Sequence, residues 1–184
     1  MAVEENSDRS YELFKRQRDS FLSELLRAEP DIAVFPDQDD ARAPGDWAVL
    51  FAPKSWGSFE GGHPGVRFAF SRFLDPNTLN DYARLSVDVE APLAESSREP
   101  FKVDLLAELR SRGIQLRGFT LWPHAGVGVA REVIETRILL DSNAAREALR
   151  RYRQLAGFIA AATDVIRRYD ERGCFTGRLQ FDES

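Results

Sequence analysis

Two stretches of the chain alternate between apolar and polar residues, and this alternation limits the fold more than any other feature. In residues 66–71 and again in residues 82–90, apolar side chains occupy every second position, with mostly polar side chains between them. A period of two residues is that of a β-strand, because successive side chains of a strand point to opposite faces. The pattern therefore predicts antiparallel strands with one face on a core and the other in contact with water.

Three other segments are predicted to be strands. Residues 47–52 are a short continuous apolar run that ends at Pro53, which is typical of a buried strand. Residues 114–122 and 127–139 flank a turn-forming Pro-His-Ala-Gly sequence. Two such runs around a short turn predict a β-hairpin.

Apolar residues at helical spacing predict three helices, at about residues 8–27, 103–112 and 142–172. A straight third helix would be about 40 Å long at 1.5 Å per residue, which is longer than a small sheet needs. Part of its apolar face is expected to contact another molecule. This expectation favours a homodimer.

The predicted fold is a single α+β domain over residues 1–184, with an ordered core at about 8–172. It has an antiparallel five-stranded sheet with helices on one face, in the element order αβββαββα. Residues 28–45 and 91–100 lack periodicity and are predicted to be long loops, and residues 174–184 are predicted to be a tail.

This element order resembles that of the type III secretion chaperone and YbjN-like group of small bacterial proteins. It equally resembles a domain of unknown function attached to some restriction-type nucleases. The resemblance covers roughly residues 8–170 and rests on element order and strand patterning, so no site residue is carried over. It implies a small partner-binding domain that is often dimeric.

The composition bears on location and partners. A net charge of −5 argues against broad charge-driven binding to nucleic acid or anionic lipid, although a local basic patch would still allow nucleic acid. The single cysteine, the polar N-terminus and the shortness of the longest apolar run, residues 155–162, predict a cytoplasmic protein without a membrane span. The excess of arginine over lysine is interpreted as codon usage in a GC-rich bacterial genome.

The common catalytic signatures are missing from the sequence. No glycine-rich loop ends in Gly-Lys-Ser or Gly-Lys-Thr, no Gly-x-Ser-x-Gly occurs, and no lysine follows an acidic residue by two positions. Asp88 and Glu90 with Glu132 or Glu135 could hold a cation, but acidic residues on a solvated sheet face are ordinarily solubilising. We therefore expect no cofactor, no metal and no catalytic residue.

Both histidines lie in a His-x-Gly-Val sequence that opens a predicted strand, and a tryptophan lies near each of them. Trp56 and His63 lie on one connection, and Trp122 and His124 on another. Aromatic and histidine side chains on loops at one end of a sheet are typical of a binding site, so these four residues are predicted to converge and bind a ligand or partner. The alternative is that the tryptophans cap the core and the histidines are solvated.

A second candidate surface lies on the last predicted helix, where Arg146, Arg150 and Arg153 stand one turn apart. Such an array can bind phosphate or an acidic partner. The alternative is a solvated helix face.

Together these observations favour a non-enzymatic protein-interaction module, chaperone-like or accessory to another protein. Two other hypotheses stay open. One is a small enzyme or ligand-binding protein that uses the loops of His63 and His124, and the other is an accessory subunit of a nucleic-acid-processing system.

Overall fold

The computed structural model of the chain describes residues 2–35, 48–58, 64–75, 77–78, 80–89, 95–121, 132–175 and 177–181. Within these ranges the protein has an α+β fold with four α-helices and a six-stranded sheet. The elements in chain order are α1 (Ala2–Ala28), β1 (Ile32–Phe35), β2 (Ala48–Pro53), β3 (Val66–Leu74), β4 (Asp81–Val89), α2 (Glu95–Ser111), β5 (Thr120–Leu121), β6 (Glu132–Leu139), α3 (Ala144–Arg153) and α4 (Ala156–Glu171).

Every pair of neighbouring strands in the sheet is antiparallel. The spatial order is β1-β2-β3-β4-β6-β5, so β4 is hydrogen-bonded to β6 although α2 and β5 lie between them in the chain. This confirms the predicted α+β class and antiparallel sheet. The predicted count of five strands and the order αβββαββα are wrong, because the sheet has six strands and two helices follow β6.

The additional strand is β1, which lies within the segment predicted to be a loop, residues 28–45. It pairs with β2 along its whole length, from Ile32 opposite Pro53 to Phe35 opposite Leu50. The segment was predicted to be a loop because prolines and aspartates, which favour turns, follow β1 closely. The strand forms because pairing with β2 satisfies its backbone groups.

The other two predicted irregular segments also contain ordered structure. Helix α2 begins at Glu95, inside the predicted loop 91–100, with Pro100 in its second turn. The predicted tail 174–184 folds back onto the protein, because Ser58 and Gln180 exchange two backbone hydrogen bonds of 2.9 and 2.8 Å. Phe175 and Leu179 from this segment are buried in the core.

One face of the sheet, the core face, packs against helices. Phe51 of β2 and Phe68 and Phe70 of β3 lie on it. Phe51 and Phe70 contact rings of α1, Phe14 and Phe21, with centroids 4.7–5.7 Å apart, and Phe68 stacks on Phe51 at 5.2 Å. Tyr152 of α3 contacts Phe51 and Phe68 from the same side. Aromatic rings bury the largest apolar areas, so this cluster dominates the packing of α1 and α3 on the sheet.

The predicted third helix is two helices, α3 and α4, which meet at Gln154 and Leu155. The amide groups of these two residues donate to carbonyls three residues earlier, so the α-helical hydrogen-bond pattern is interrupted there by a tighter turn. A straight helix would overrun strands of nine residues, which span about 30 Å. The break lets α3 pack on α1 and α4 on α2, and it removes the reason for which a homodimer was expected. The homodimer stays a prediction.

The first strand of the predicted hairpin 114–139 begins later than its sequence pattern, because residues 114–119 are not strand. Among the described residues of this strand, Thr120 and Leu121 pair with β6, opposite Glu135 and Ile134. Gly118, with a φ of 80°, turns the chain just before β5. The carbonyl of Gly118 accepts a hydrogen bond from the Thr136 hydroxyl at 2.7 Å, which fixes this turn against β6.

Among the described residues, no helix is both long and apolar enough to cross a membrane.

We expect Leu179→Ala to lower the free energy of unfolding by about 2 kcal/mol or more, because the Leu179 side chain is 3% exposed and a cavity would replace it. Arg178→Ala changes an exposed neighbour and serves as the matched control. Thermal unfolding followed by circular dichroism measures both. Equal melting temperatures for the two variants would contradict the docked C-terminal segment.

Candidate functional site

The second face of the sheet, opposite the core face, is polar over its centre. We call it the polar sheet face and define it by three rows of residues that lie opposite one another on neighbouring strands. The rows are Phe35-Leu50-Ala69-Ser86-Glu135-Thr120, Ala48-Ser71-Arg84-Arg137 and Phe73-Tyr82-Leu139. Residues directly opposite in antiparallel strands share a face, so each row is a line of neighbouring side chains.

The alternation in β3 and β4 produces this face, because most of the residues between the core phenylalanines and aliphatic residues are polar. Ser71 and Arg84 face one another in this way, and so do Ala69 and Ser86. Strand β6 adds Glu135 and Arg137 on the other side of β4. The second face was predicted from the sequence to contact water, but Ser86 and Glu135 in its central row are buried, with 0% and 6% of their surface exposed.

Two arginines lie against the buried Glu135. Arg137 donates from Nε to Glu135 Oε1 at 3.2 Å, and its Nη2 lies at the same distance from that oxygen. Arg84 approaches the other oxygen with Nη1 at 3.9 Å and donates from Nε to the Ser71 hydroxyl at 3.3 Å. Arg84 and Arg137 are also direct cross-strand neighbours. The group therefore has two positive charges and one negative charge.

Ser86 lies at the centre of the face, and its hydroxyl is buried. Its Oγ is buried and has no hydrogen-bond partner among the residues that the structure describes. A buried hydroxyl without a partner costs about 1–3 kcal/mol relative to one that is satisfied. Because none of the surface of Ser86 is exposed, a molecule docked on this face would not reach the hydroxyl.

The outer row of the polar sheet face is apolar and partly exposed. Leu139 has 56% of its surface exposed, and Phe73 and Tyr82 are half-buried. The guanidinium of Arg137 lies 4.3 Å from the centroid of the Phe73 ring, a cation–π contact that fixes the orientation of the guanidinium plane. The charged row and the apolar row thus form one continuous surface.

An ion pair lies at the end of the sheet next to this surface. Arg72 donates from Nε and Nη2 to the two oxygens of Asp81 at 2.9 and 2.8 Å, and the hydroxyl of Ser10 also donates to Asp81. Burial opposes ionisation of Asp81, but these hydrogen bonds outweigh it and lower the pKa of the carboxyl. The pair joins α1 to the sheet and belongs to the packing rather than to the site.

Trp56, one of the four residues predicted to bind a ligand, is a core residue. Its ring stacks on Phe68 at 5.2 Å, its Nε1 donates to Thr163 Oγ1 at 3.1 Å, and 1% of its surface is exposed. It therefore offers no surface to a ligand. His63, Trp122 and His124 lie outside the described residues, so their convergence stays a prediction.

The arginines of α3 are on the surface, as their polar helix face implied. Arg146, Arg150 and Arg153 are all exposed. Arg150 donates to both oxygens of Glu147 at 2.7 and 2.5 Å, and Arg151 donates to one of them at 2.9 Å. The hydrogen bonds from these arginines lower the pKa of Glu147 to about 2 although burial opposes the shift.

The structure also has a small cleft between the α2–β5 connection and the junction of α3 and α4. Its volume is about 210 Å³, below the roughly 300 Å³ at which pockets for drug-sized ligands begin. It is lined by Gln115, Leu116, Arg117, Phe119, Gln154 and Leu155. The polar sheet face is the better candidate, because Arg137 and Leu139 offer a charged and an apolar side chain that are both exposed.

Sequence reasoning considered Glu135, with Asp88 and Glu90, as a possible cation site. It did not identify Arg84, Ser86 or Arg137, and alternation alone could not have brought them together. The alternation places Arg84 and Ser86 on one face of a strand. The pairing of β4 with β6, which brings Glu135 and Arg137 beside them, crosses about fifty residues of chain. Within the described residues, no group of three histidine, cysteine, aspartate or glutamate side chains is placed to hold a metal ion.

The chain matches no protein-family model, no curated protein and no solved structure. The resemblance to secretion chaperones and to the nuclease-associated domain therefore stays a prediction.

We expect Ser86→Ala to stabilise the protein by about 1 kcal/mol, because it removes a buried hydroxyl that has no partner. Ser71→Ala is the matched control, since it removes the hydroxyl that accepts from Arg84 and should lower stability. Chemical denaturation of both variants measures the two changes. A loss of stability in Ser86→Ala equal to that in Ser71→Ala would show that the Ser86 hydroxyl is satisfied in the folded protein.

We expect Arg150→Ala to raise the pKa of Glu147 from about 2 towards its usual range, without reaching it because Arg151 still donates. A lowered carboxyl pKa stabilises the fold above the ordinary pKa and loses that effect as the pH falls towards 2. The wild type should therefore lose more stability between pH 4.5 and 2 than the variant. A carboxyl-carbon NMR titration tests this, with Arg146→Ala as a control that leaves Glu147 unchanged.

Proposed function

We propose that this chain is a non-enzymatic protein-interaction module, chaperone-like or accessory to another protein, and that its partner docks on the exposed part of the polar sheet face, around Arg137 and Leu139. The observation that carries the proposal is the arrangement of Arg84, Arg137 and Glu135. Glu135 accepts from Arg137 and lies near Arg84, so it holds Arg137 beside the exposed side chain of Leu139. Arginine held next to exposed apolar surface is typical of residues that contribute strongly to protein–protein binding.

The residue types of this surface support the same function. Arginine and tyrosine are enriched among the residues that contribute most to protein–protein binding, and such residues sit in partly desolvated settings. Arg137 and Tyr82 have this setting, beside the exposed apolar side chain of Leu139. Charge beside an apolar row suits a protein partner better than a small ion.

The described groups of the polar sheet face are better suited to binding than to covalent chemistry. Glu135 is engaged by Arg137 and approached by Arg84, so it is poorly placed to act as a general base. The Ser86 hydroxyl has no base within hydrogen-bond distance to activate it. Among the described residues of this face, no nucleophile is therefore hydrogen-bonded to a base that could activate it.

A second candidate function is that of an accessory subunit in a nucleic-acid-processing system. The observation that favours it is the exposure of Arg146, Arg150 and Arg153 along α3. Arginine side chains spaced along a helix can contact successive phosphates. Glu147, which binds Arg150, reduces the positive charge of this surface.

We expect Leu139→Glu to abolish co-purification of the partner with the tagged protein from its own cells. The substitution places a charge in the exposed apolar row of the polar sheet face, where Leu139 is 56% exposed and its loss should change stability little. Val103→Glu is the matched control, because Val103 is 49% exposed on α2, away from this face. Quantitative mass spectrometry of both purifications, with circular dichroism to confirm folding, measures the effect.

The expected result is a protein that is recovered with the wild type and with Val103→Glu and is depleted at least tenfold with Leu139→Glu. Equal recovery with both variants would refute docking on the polar sheet face. Recovery of RNA or DNA that is lost when Arg146, Arg150 and Arg153 are replaced by glutamate would instead support the second candidate function.

A further inference from the structure

We infer that the small cleft between the α2–β5 connection and the junction of α3 and α4 binds a free small carboxylate with a branched apolar body. The cleft shares no residue with the polar sheet face, so this ligand is independent of the proposed function. Three features of the cleft support it, namely the way its walls are held, the charge around it and its volume.

A tight turn forms one wall of the cleft. The amide of Phe119 donates to the carbonyl of Leu116 at 3.2 Å, and Gly118 has a φ of 80° at the third position of this turn. A positive φ at that position is typical of a type II turn and favours glycine. The Thr136 hydroxyl fixes the turn from outside, because it donates to the carbonyl of Gly118 at 2.7 Å. The backbone of Arg117, at the second position, is therefore held in place.

The other wall is the start of α4 with the junction before it, including Gln154 and Leu155. The two walls are held close together beside the cleft, because a Cβ added at Gly157 would lie 3.3 Å from Cδ1 of Ile114. A cleft whose walls are fixed before binding loses little conformational entropy when a ligand enters.

The polar side chains that line the cleft favour an anionic group. None of the six lining residues is acidic, and neither is any residue in the first turn of α4. Arg117 donates from Nη2 to Gln115 Oε1 at 3.4 Å, which is a long hydrogen bond to a neutral group, and it has no carboxylate partner among the described residues. A guanidinium with free donors binds a planar carboxylate through two parallel hydrogen bonds.

The side chains next to the cleft add positive charge. The guanidinium of Arg151 lies against Gly118, so closely that a Cβ at Gly118 would overlap it. Arg150 and Arg151 both donate to Glu147. Together with Arg117, these arginines carry more charge than the one carboxylate offsets, so the surroundings of the cleft stay positive.

The apolar part of the cleft comes from Leu116 and Phe119, which are half-buried, whereas Leu155 is fully buried and contributes to the core. The volume of about 210 Å³ corresponds to about seven water molecules at about 30 Å³ each. The 3-methylbutanoate ion is of this size. Its carboxylate can bind Arg117 while its branched end covers the two apolar side chains, and an inorganic anion would leave them uncovered.

The test uses the full chain, labelled with ¹⁵N, and three probes at equal ionic strength: 3-methylbutanoate, its neutral amide 3-methylbutanamide, and acetate. We expect saturating shifts of the backbone amides of Leu116, Phe119 and Gln154 with 3-methylbutanoate. The neutral amide should bind about threefold more weakly, because it loses the ion pair with an exposed arginine. Acetate should also bind more weakly, because it has no branched end to bury.

A fourth probe distinguishes a free small molecule from the C-terminus of a protein. The peptide N-acetyl-Ser-Gly-Leu ends in the same carboxylate beside a branched side chain. We expect it to bind no more tightly than 3-methylbutanoate, because the rest of the peptide would lie outside the small cleft. Tighter binding of the peptide would overturn the assignment to a free small molecule.

Two protein variants complete the test. Arg117→Ala should bind the acid and the amide equally. Arg110→Ala, which removes an exposed arginine of α2 outside the cleft, should keep the preference for the acid. Circular dichroism checks that both variants fold. Equal affinities of the wild type for acid and amide, shifts that rise without saturating, or an acid preference that survives in Arg117→Ala would overturn the inference.

Discussion

The register of β4 between β3 and β6 is the constraint on which the rest of the protein depends. Because side chains alternate along a strand, a shift by one residue would move Arg84 and Ser86 into the core and Leu85 and Val87 out of it. The apolar face can be buried in one register only. The register that buries the apolar residues therefore also determines which polar residues are neighbours on the opposite face.

The helices complete the core that selects this register. Phe21 of α1 and Tyr152 of α3 both contact Phe51, so two distant parts of the chain cover one patch of sheet. The N-terminus of α3 is also held by α1, because Gln17 Oε1 accepts the amide hydrogen of Ala145 at 3.0 Å. Aromatic packing on the sheet and the hydrogen bond at the start of α3 therefore both involve α1 and α3.

The polar sheet face contributes less to the stability of the fold than the core face does. The core face is filled by apolar side chains whose burial favours folding, whereas the other face holds two neighbouring arginines and a buried hydroxyl that has no partner in the described part of the chain. Natural proteins depart from the rules of stability mainly at sites that serve function. These features are confined to strands whose other face is well packed, so the fold tolerates their cost.

The sequence by itself determined the α+β class, the faces of β3 and β4, and the approximate positions of α1, β2 and β6, because these follow from periodicities within short segments. Tertiary structure alone decided that Ile32–Phe35 joins the sheet, that Leu179 docks on the core and that the last helix breaks at Leu155. It also decided that Glu135 and Arg137 lie beside Arg84. These outcomes depend on contacts between residues far apart in the chain, and no local pattern encodes which distant segment will satisfy a given backbone or bury a given side chain.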